Sequence, residues 1–283
     1  MNKNIYVLGI GEVLWDMLPG GKQCGGAPAN VIYHLNKLGI NGILVSAVGS
    51  DALGDELLAF LNSRNITTDF ISKNNLETGV VDVTVSNGIP TYDIKYPSAW
   101  DAITLPDKLA AILPEVSALI FGSLSQRDER SRLSIQSLLE KVPSNCLKIF
   151  DINLRQSFYN ENILRTSLNF ADILKINDEE LVIAAQMFGI PGDTKDILRA
   201  LKEKFCLKSI ILTLGANGSM FFDGENFTSY PVGPCNVVDT VGCGDSFLAG
   251  WCCAILNGKS PDEAMRIGSE ISAYVASHAG GMC

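Results

Sequence analysis

Short apolar runs alternate with segments of helical spacing along most of the 283 residues, and this alternation limits the fold more than any other feature. The apolar runs read as buried strands, and they occupy residues 5–10, 43–48, 118–121, 147–150, 173–176 and 209–214. Helical patterns lie between them, among them residues 28–38, 53–64 and 128–141. Such repetition predicts one α/β domain over residues 1–283, built on a mostly parallel sheet with helices on both faces.

Two segments interrupt this alternation. Residues 12–23 are rich in turn formers, and residues 79–96 alternate like a hairpin around a turn at Asn87-Gly88. Neither suits a helix-covered parallel sheet. We expect them to form a small β lid, with segments at about 12–23 and 79–98, over the C-terminal edge of the main sheet, where such sheets bind ligands. The alternative is a structural hairpin on a sheet edge.

Composition excludes several classes of function. The net charge is −9 and no Lys/Arg run occurs, so we expect no nucleic-acid partner and no anionic membrane surface. No uncharged apolar stretch approaches the roughly 20 residues of a spanning helix, and no signal peptide is recognisable. The eight cysteines are scattered without a Cys-x-x-Cys motif, which favours a cytoplasmic protein with reduced thiols.

The stretch Asp239-Thr240-Val241-Gly242-Cys243-Gly244-Asp245 carries the strongest chemical signal. Its glycines allow several N–H groups to converge on an anion at the start of an apolar helix, where the first turn has free donors and the positive end of the dipole. A bound phosphate would repel the Asp245 carboxylate unless that group has a task there. Removing a proton from an incoming hydroxyl is such a task, which indicates phosphoryl transfer to an alcohol.

Two common nucleotide motifs are absent. Gly9 and Gly11 begin a dinucleotide fingerprint, but Leu14 stands where the third glycine belongs and no helix follows. The chain also lacks a G-x-x-x-x-G-K-[ST] sequence. A dinucleotide oxidoreductase and a P-loop enzyme are therefore disfavoured.

Four further motifs follow strands or open a helix. The stretch Gly25-Gly26-Ala27-Pro28-Ala29-Asn30 allows close approach of a small ligand, although alone it is more often a loop. Strand alternation would place Asp151, Asn153 and Arg155 on one side of a strand end, which looks like a site. Residues 177–180 have the composition of a helix N-cap, and residues 213–218 alone read as a turn.

In this order and spacing, from Gly9 to Gly281, the motifs resemble the ribokinase, or PfkB, family of carbohydrate kinases. Residues 25–30 are similar to its N-terminal signature, residues 239–245 to its C-terminal one, 177–180 to its N-x-x-E element and 213–218 to its T-x-G-x-x-G element. The stretch from Glu12 to Asp16, Trp100-Asp101 and the Asp-x-Asn-x-Arg element are most similar to fructokinases.

The resemblance implies a three-layer α/β/α sandwich with a β lid, and transfer of the γ-phosphoryl group of ATP to a sugar hydroxyl. Asp245 would be the general base, and the N–H groups of Gly242, Cys243 and Gly244 would form an anion hole. The groups nearest the sugar would be Asp16, Gly26, Asn30 and Arg155, the last beside either the sugar or the moving phosphate.

The same resemblance implies the nucleotide and metal sites. Asn177 and Glu180 would organise Mg²⁺ and its waters, with Glu180 acting through water. Thr213, Gly215 and Gly218 would line the ATP pocket. Asp239 would contribute to a monovalent cation site, for example for K⁺.

The resemblance to fructokinases predicts a kinase that makes fructose 6-phosphate. Ribose, 2-keto-3-deoxygluconate, a nucleoside or a sugar phosphate are alternative acceptors, and a non-catalytic sugar or nucleotide sensor is an alternative class. A homodimer through the lid is also expected. Because a thiol at a helix N-terminus can have a lowered pKa, we further expect oxidation of Cys243 to inhibit the enzyme.

Overall fold

The computed structural model describes residues 5–86 and 89–283. The strands of these residues are β1 (Tyr6–Ile10), β2 (Leu14–Leu18), β3 (Gly21–Gly25), β4 (Asn41–Gly49), β5 (Ile71–Asn74), β6 (Val80–Ser86), β7 (Ile89–Ile94), β8 (Val116–Gly122), β9 (Leu147–Asp151), β10 (Ile173–Asn177), β11 (Ser209–Thr213), β12 (Ser219–Phe222) and β13 (Phe227–Tyr230). The α-helices are α1 (Ala27–Lys37), α2 (Ala52–Ser63), α3 (Leu109–Ile112), α4 (Glu129–Lys141), α5 (Glu161–Phe170), α6 (Asp178–Phe188), α7 (Thr194–Phe205), α8 (Cys243–Leu256) and α9 (Pro261–Ala276).

The main sheet has the strand order β13-β12-β11-β10-β9-β8-β1-β4-β5. All pairs from β11 to β5 are parallel, whereas β12 and β13 add an antiparallel edge. The predicted mostly parallel sheet is therefore confirmed, although β5, β12 and β13 were not among the predicted strands. Because the parallel strands run the same way, the residues that follow β1, β9, β10 and β11 meet at one edge.

Helices cover both faces of this sheet, as predicted. Successive residues of β1 enter opposite cores: Leu8 packs in one core and Val7 in the other. The first core also contains side chains of α4, α5, α6 and α7, and the second contains side chains of α1, α2, α8 and α9. The helices begin at local caps; at α9, for example, Glu263 N–H donates to Ser260 Oγ at 3.2 Å in a capping box.

A second sheet, which we call the small sheet, has the order β3-β2-β6-β7. Strands β2 and β6 are parallel, and the two outer pairs are antiparallel. The predicted β appendage is confirmed, and its first segment is more regular than a turn-rich sequence suggests, because residues 14–25 form two paired strands. The predicted turn at Asn87-Gly88 lies outside the described residues.

Two further expectations concern helix length and thiols. Within residues 5–86 and 89–283, we find no helix that combines the length and the apolar character needed to cross a membrane. All eight cysteines are free, as their spacing predicts.

Candidate active site

A cavity of about 720 Å³ lies between the C-terminal edge of the main sheet and the small sheet. Its walls include residues that follow β1, β9 and β10, the first turn of α8, and side chains of β2, β6 and β7. The cavity thus lies where a helix-covered parallel sheet binds ligands.

This one cavity is lined by most of the residues that we selected from the sequence. They are Asp16, Gly26, Asn30, Arg155, Asn177, Glu180, Thr213, Gly242, Gly244 and Asp245. Four other candidates are not part of its wall, namely Cys243, Gly215, Gly218 and Asp239. Gly218 closes the turn between β11 and β12, where its carbonyl accepts a hydrogen bond from Leu214 N at 2.8 Å.

The first turn of α8 depends on Gly242. This residue is the N-cap and has a φ of 76°, in the left-handed region that glycine tolerates. An added Cβ would lie 2.6 Å from Gly281 Cα, so a side chain has no room there. The N–H of Cys243 donates to the Thr240 carbonyl at 3.3 Å. Of the three residues expected from the sequence to form an anion hole, Gly242 and Gly244 line the cavity, whereas Cys243 does not.

Asp245 faces the cavity from the first turn of α8. Its Oδ2 accepts a hydrogen bond from the side-chain amide of Asn30 at 2.8 Å. Burial and the nearby carboxylate of Asp151 raise the pKa of Asp245 to about 6, while Lys175, Asn30 and Arg155 act in the opposite direction. Asp245 is therefore ionised at neutral pH and is a stronger base than an exposed aspartate, as a general base requires.

Lys175 is a site residue that sequence reasoning missed. Its ammonium group bonds both oxygens of Asp151, at 2.8 and 2.9 Å, and the two side chains are 9% and 7% exposed. A Cβ added to Gly244 would lie 3.3 Å from Lys175 Nζ, so the cation lies directly beneath the first turn of α8. Burial opposes this charge, but Asp151 and Asp245 raise the pKa of Lys175. The sequence feature that could have revealed Lys175 as a site residue is its position inside an otherwise apolar strand.

The polar residues after β9 reach the cavity by a route that differs from the prediction. Asp151, Asn153 and Arg155 all line the wall, but the strand ends at Asp151. Asn153 has a φ of 43°, so strand alternation does not continue beyond that point. A turn in the left-handed region, and not a strand face, brings these groups together.

Asn177 and Glu180 form a helix capping box at the start of α6. Glu180 N–H donates to Asn177 Oδ1 at 2.8 Å, and Asn177 N–H donates to Glu180 Oε2 at 3.0 Å. Glu180 Oε1 accepts from Leu154 N at 2.9 Å, which ties α6 to the loop after β9. Burial raises the pKa of Glu180.

These contacts fit Mg²⁺ held through water. Both oxygens of Glu180 already accept backbone hydrogen bonds, so a water-mediated contact suits this carboxyl better than direct ligation. Among residues 5–86 and 89–283, no group of three or more His, Cys, Asp or Glu side chains forms a ready metal site. Mg²⁺ commonly retains several waters and binds mainly to substrate phosphates, which matches this donor set.

Two more carboxyl groups lie on the side of the small sheet. Glu12 is buried, its Oε1 accepts from Ala27 N at 3.3 Å, and burial raises its pKa to about 7. Burial also raises the pKa of Asp16 to about 6. Within the part of the chain that the structure describes, the cavity wall therefore carries five carboxyl groups, at positions 12, 16, 151, 180 and 245, and two cations, Arg155 and Lys175.

The thiol of Cys243 differs from our expectation. Burial, with the nearby carboxylates of Asp239 and Asp245, raises its pKa to about 11. The positive end of α8 does not offset these effects, so the thiol stays protonated at neutral pH. The prediction of a lowered pKa is wrong.

Asp239 ties the C-terminal segment to the loop before α8. Its Oδ1 accepts from Val241 N at 3.0 Å, and its Oδ2 accepts from Gly280 N at 2.9 Å. The next residue, Gly281, bonds the His34 ring through its carbonyl at 2.7 Å. These contacts hold residues 280–281 beside Gly242 and Asn30.

Comparison with known proteins identifies similar chains. A family profile described as "pfkB family carbohydrate kinase" matches residues 19–282. An ATP-dependent 6-phosphofructokinase of Thermoanaerobacterium thermosaccharolyticum is 28% identical over 99% of this chain and 90% of its own length. A fructokinase of Rhizobium leguminosarum bv. trifolii is 30% identical over 86% of this chain and 78% of its own. A sugar kinase of Pyrococcus horikoshii, solved in complex with ATP, has a TM-score of 0.82 at 26% identity, covering 98% of this chain and 94% of its own.

Proposed function

This chain belongs to the pfkB family of carbohydrate kinases, and from that premise we propose that it transfers the γ-phosphoryl group of ATP to a hydroxyl of an unphosphorylated sugar. D-Fructose is the acceptor we favour, with fructose 6-phosphate as the product.

The observation that carries the proposal is the position of Asp245. Its carboxylate faces the cavity from the first turn of α8, one residue after Gly244, and Asn30 orients it. In the proposed reaction the carboxylate of Asp245 removes the proton of the acceptor hydroxyl. The hydroxyl oxygen forms a bond to the γ-phosphorus, and the bond from that phosphorus to the β–γ bridging oxygen breaks to release ADP.

The remaining cavity residues supply positioning and charge neutralisation, which phosphoryl transfer needs more than covalent chemistry. In our proposal Asp16, Gly26 and Asn30 bind sugar hydroxyls, and Arg155 lies beside the sugar or the moving phosphate. The free N–H groups at the start of α8 stabilise the charge of the phosphoryl group. Closure of the small sheet as a lid would exclude water from the reaction.

The nucleotide would extend from the first turn of α8 towards the ends of β10 and β11. Thr213 lines the cavity there, and Gly215 and Gly218 form the turn that follows it. Asn177 and Glu180 would organise the waters of Mg²⁺ beside the phosphates. Mg²⁺ would supply Lewis-acid neutralisation of the phosphate oxygens.

The charge of the cavity supports an acceptor without a phosphate group. Five carboxyl groups line the wall, and one of the two cations there, Lys175, is paired with Asp151. Two lysines at the small sheet are also paired: Lys22 of β3 with Glu56, and Lys95, the residue after β7, with Asp82 and Asp93. Among the described residues of the cavity wall, Arg155 would be the one cation without a carboxylate partner for a second phosphate, so we expect weak binding of a phosphorylated sugar.

Fructose 6-phosphate is nevertheless the second candidate acceptor, because similarity to the 6-phosphofructokinase extends over nearly the whole chain. Release of ADP should be measured with fructose, fructose 6-phosphate, ribose, 2-keto-3-deoxygluconate and a nucleoside, each with and without Mg²⁺. We expect the highest kcat/KM with fructose. A higher value with fructose 6-phosphate would reverse the order of the two candidates, and no acceptor-dependent ADP release from a folded protein would favour a sensor.

Two further parts of the proposal concern potassium and assembly. Activation by K⁺ at Asp239 would need backbone carbonyls as additional ligands, and replacing KCl by choline chloride in the same assay tests it. A homodimer through the small sheet is consistent with the exposed side chain of Met17 on that sheet. Light scattering of the purified protein would measure the assembly.

A further inference from the structure

Trp100 and Asp101 lie at the base of the small sheet and have no part in the chemistry proposed above. Both side chains are fully buried. They belong to a short 3₁₀ turn, Ala99–Ala102, that follows the exit of the chain from β7. We call Tyr96, Trp100, Asp101, Arg127 and Phe158 the lid-base cluster.

Arg127 forms a bidentate ion pair at the centre of this cluster. Its Nε and Nη2 each lie 2.8 Å from an oxygen of Asp101, and the two side chains are 2% and 0% exposed. Nη2 also donates to the carbonyl of Lys95 at 2.6 Å, immediately after β7. A planar fork of this kind fixes direction as well as distance. One guanidinium group therefore joins the 3₁₀ turn to the end of the small sheet.

Three aromatic rings enclose the same guanidinium group. Its carbon lies 3.9 Å from the ring centre of Trp100, 4.4 Å from that of Phe158 and 5.0 Å from that of Tyr96. Nη1 is buried and has no hydrogen-bond partner among the described residues, so the aromatic faces are what stabilises that side of the cation.

Phe158 connects this cluster to the wall of the cavity. Its N–H donates to the carbonyl of Arg155 at 3.1 Å, within the loop after β9. The neighbouring Gln156 donates from Nε2 to the carbonyl of Tyr92 in β7 at 2.7 Å. The loop that carries Arg155 thus contacts Arg127 on one side and the small sheet on the other.

Trp100 connects the cluster to the other segment of the small sheet. Gly79, which leads into β6, lies so close to the indole that a Cβ there would overlap it. The carbonyl of Gly79 accepts from Trp15 N in β2 at 2.9 Å. Contacts of the cluster therefore reach the chain where it enters β6 and where it leaves β7, and through Gly79 they reach β2.

We propose that Arg127 is a positioning residue that sets the orientation of the small sheet over the acceptor cavity. It does so by clamping the exit of β7 and the loop of Arg155 to the Ala99–Ala102 turn, without touching substrate. This inference rests on the proposed sugar-kinase function. Loosening the clamp would weaken sugar binding and admit water to the transferring phosphoryl group, whereas the nucleotide residues at β10 and β11 would keep their places.

The test compares Arg127→Lys with wild type. Lysine keeps the positive charge but lacks the fork and the flat face that stacks on aromatic rings. We expect the KM for the sugar to rise about tenfold or more, because small misplacements reduce productive binding strongly. The KM for ATP should stay near the wild-type value, and ADP release without acceptor should increase. Arg199→Lys is the matched control, since Arg199 forms an exposed ion pair with Asp196 on α7.

A second pair of variants covers the case in which Arg127→Lys does not fold. The side chain of Tyr96 is 57% exposed, so its truncation should leave folding intact. Tyr96→Ala removes one ring from the guanidinium group and should raise the sugar KM in the same direction but less. Tyr96→Phe keeps the ring, loses only the hydroxyl contact to Asp128, and should match wild type.

The outcomes separate this inference from the proposed function. An active wild type, with sugar and ATP KM values that change together or not at all in Arg127→Lys and Tyr96→Ala, overturns the positioning role alone. A folded wild type that releases no ADP with any sugar overturns the proposed function instead.

Discussion

The side-chain amide of Asn30, in the first long helix, bonds the carboxylate of Asp245 across a separation of 215 residues in the sequence. The bond joins the two stretches that carry the N-terminal and C-terminal signatures. Because the amide donates to the charged form of the acid, it favours ionisation and holds one oxygen in a fixed direction. In the proposed reaction the other oxygen accepts the proton of the acceptor hydroxyl.

Replacing the base is the first prediction. Asp245→Asn should lower kcat by about 10²–10⁴-fold, because the acceptor hydroxyl loses its proton acceptor. The affinity for sugar, measured by calorimetry, should change little. Asp69→Asn is the control, since Asp69 lies in an exposed ion pair with Lys108. Near wild-type turnover in Asp245→Asn would contradict the assignment of the base.

The pH dependence of kcat follows from the same group. The pKa of Asp245 is raised to about 6, so the active, deprotonated form predominates above that pH and is lost below it. We therefore expect kcat to fall about tenfold per pH unit on the acid side of pH 6. Asn30→Ala removes a bond to the charged form and should move this acid limb to higher pH. If the acid limb of kcat stays at the same pH in Asn30→Ala, Asn30 does not stabilise the charged form of Asp245.

The buried ion pair of Lys175 and Asp151 predicts a loss of stability. Lys175→Met leaves Asp151 buried without its cation and should reduce the free energy of unfolding by about 3–5 kcal/mol. The double variant Lys175→Met/Asp151→Asn should lose less free energy of unfolding, because both buried charges have been removed. Urea denaturation of the three proteins measures this. Lys175→Met should also shift the acid limb of kcat upward, since Lys175 lowers the pKa of Asp245.

The backbone conformation and the close packing at position 242 predict that only glycine fits there. Gly242→Ala places a Cβ 2.6 Å from Gly281 Cα and keeps a left-handed φ, so we expect about 1–3 kcal/mol of destabilisation and a clear loss of kcat. Gly233→Ala is the matched control, because the nearest atom to a Cβ there is 3.8 Å away. Equal stability of the two variants by thermal denaturation would refute the constraint.

The thiol of Cys243 should resist oxidation. With its pKa raised to about 11, little thiolate exists at pH 7, so peroxide should inactivate wild type and Cys243→Ala at the same rate. Mass spectrometry after brief alkylation should find the exposed Cys206 labelled before Cys243. Protection of activity in Cys243→Ala would restore the redox hypothesis.

Much of the fold was predictable because its signals are local. Buried strands such as β1 and β8 contain continuous apolar runs, and α9 begins at a capping box that is visible in four residues of the sequence. The strands β12 and β13 are only four residues each, and they are extensions of an edge whose pairing depends on the rest of the sheet. No local pattern specifies such pairing.

The lining of the cavity was predictable where a glycine turn marks the position, as at Gly242 and Asp245. It was not predictable where the partner lies on another strand. Lys175 is charged inside an apolar run because Asp151, on the neighbouring strand β9, receives it. The prediction for the pKa of Cys243 failed for a similar reason. Burial and two carboxylates raise this pKa by more than the helix N-terminus, which is visible in the sequence, lowers it.

The small sheet is assembled from two separate excursions of the chain, residues 14–25 and 80–94, which meet at the parallel pairing of β2 with β6. A sheet of this construction cannot be transplanted between relatives as one contiguous cassette. Chimeras designed to exchange the small sheet would have to carry both excursions, or the grafted strands of one would have no matching neighbour in the other.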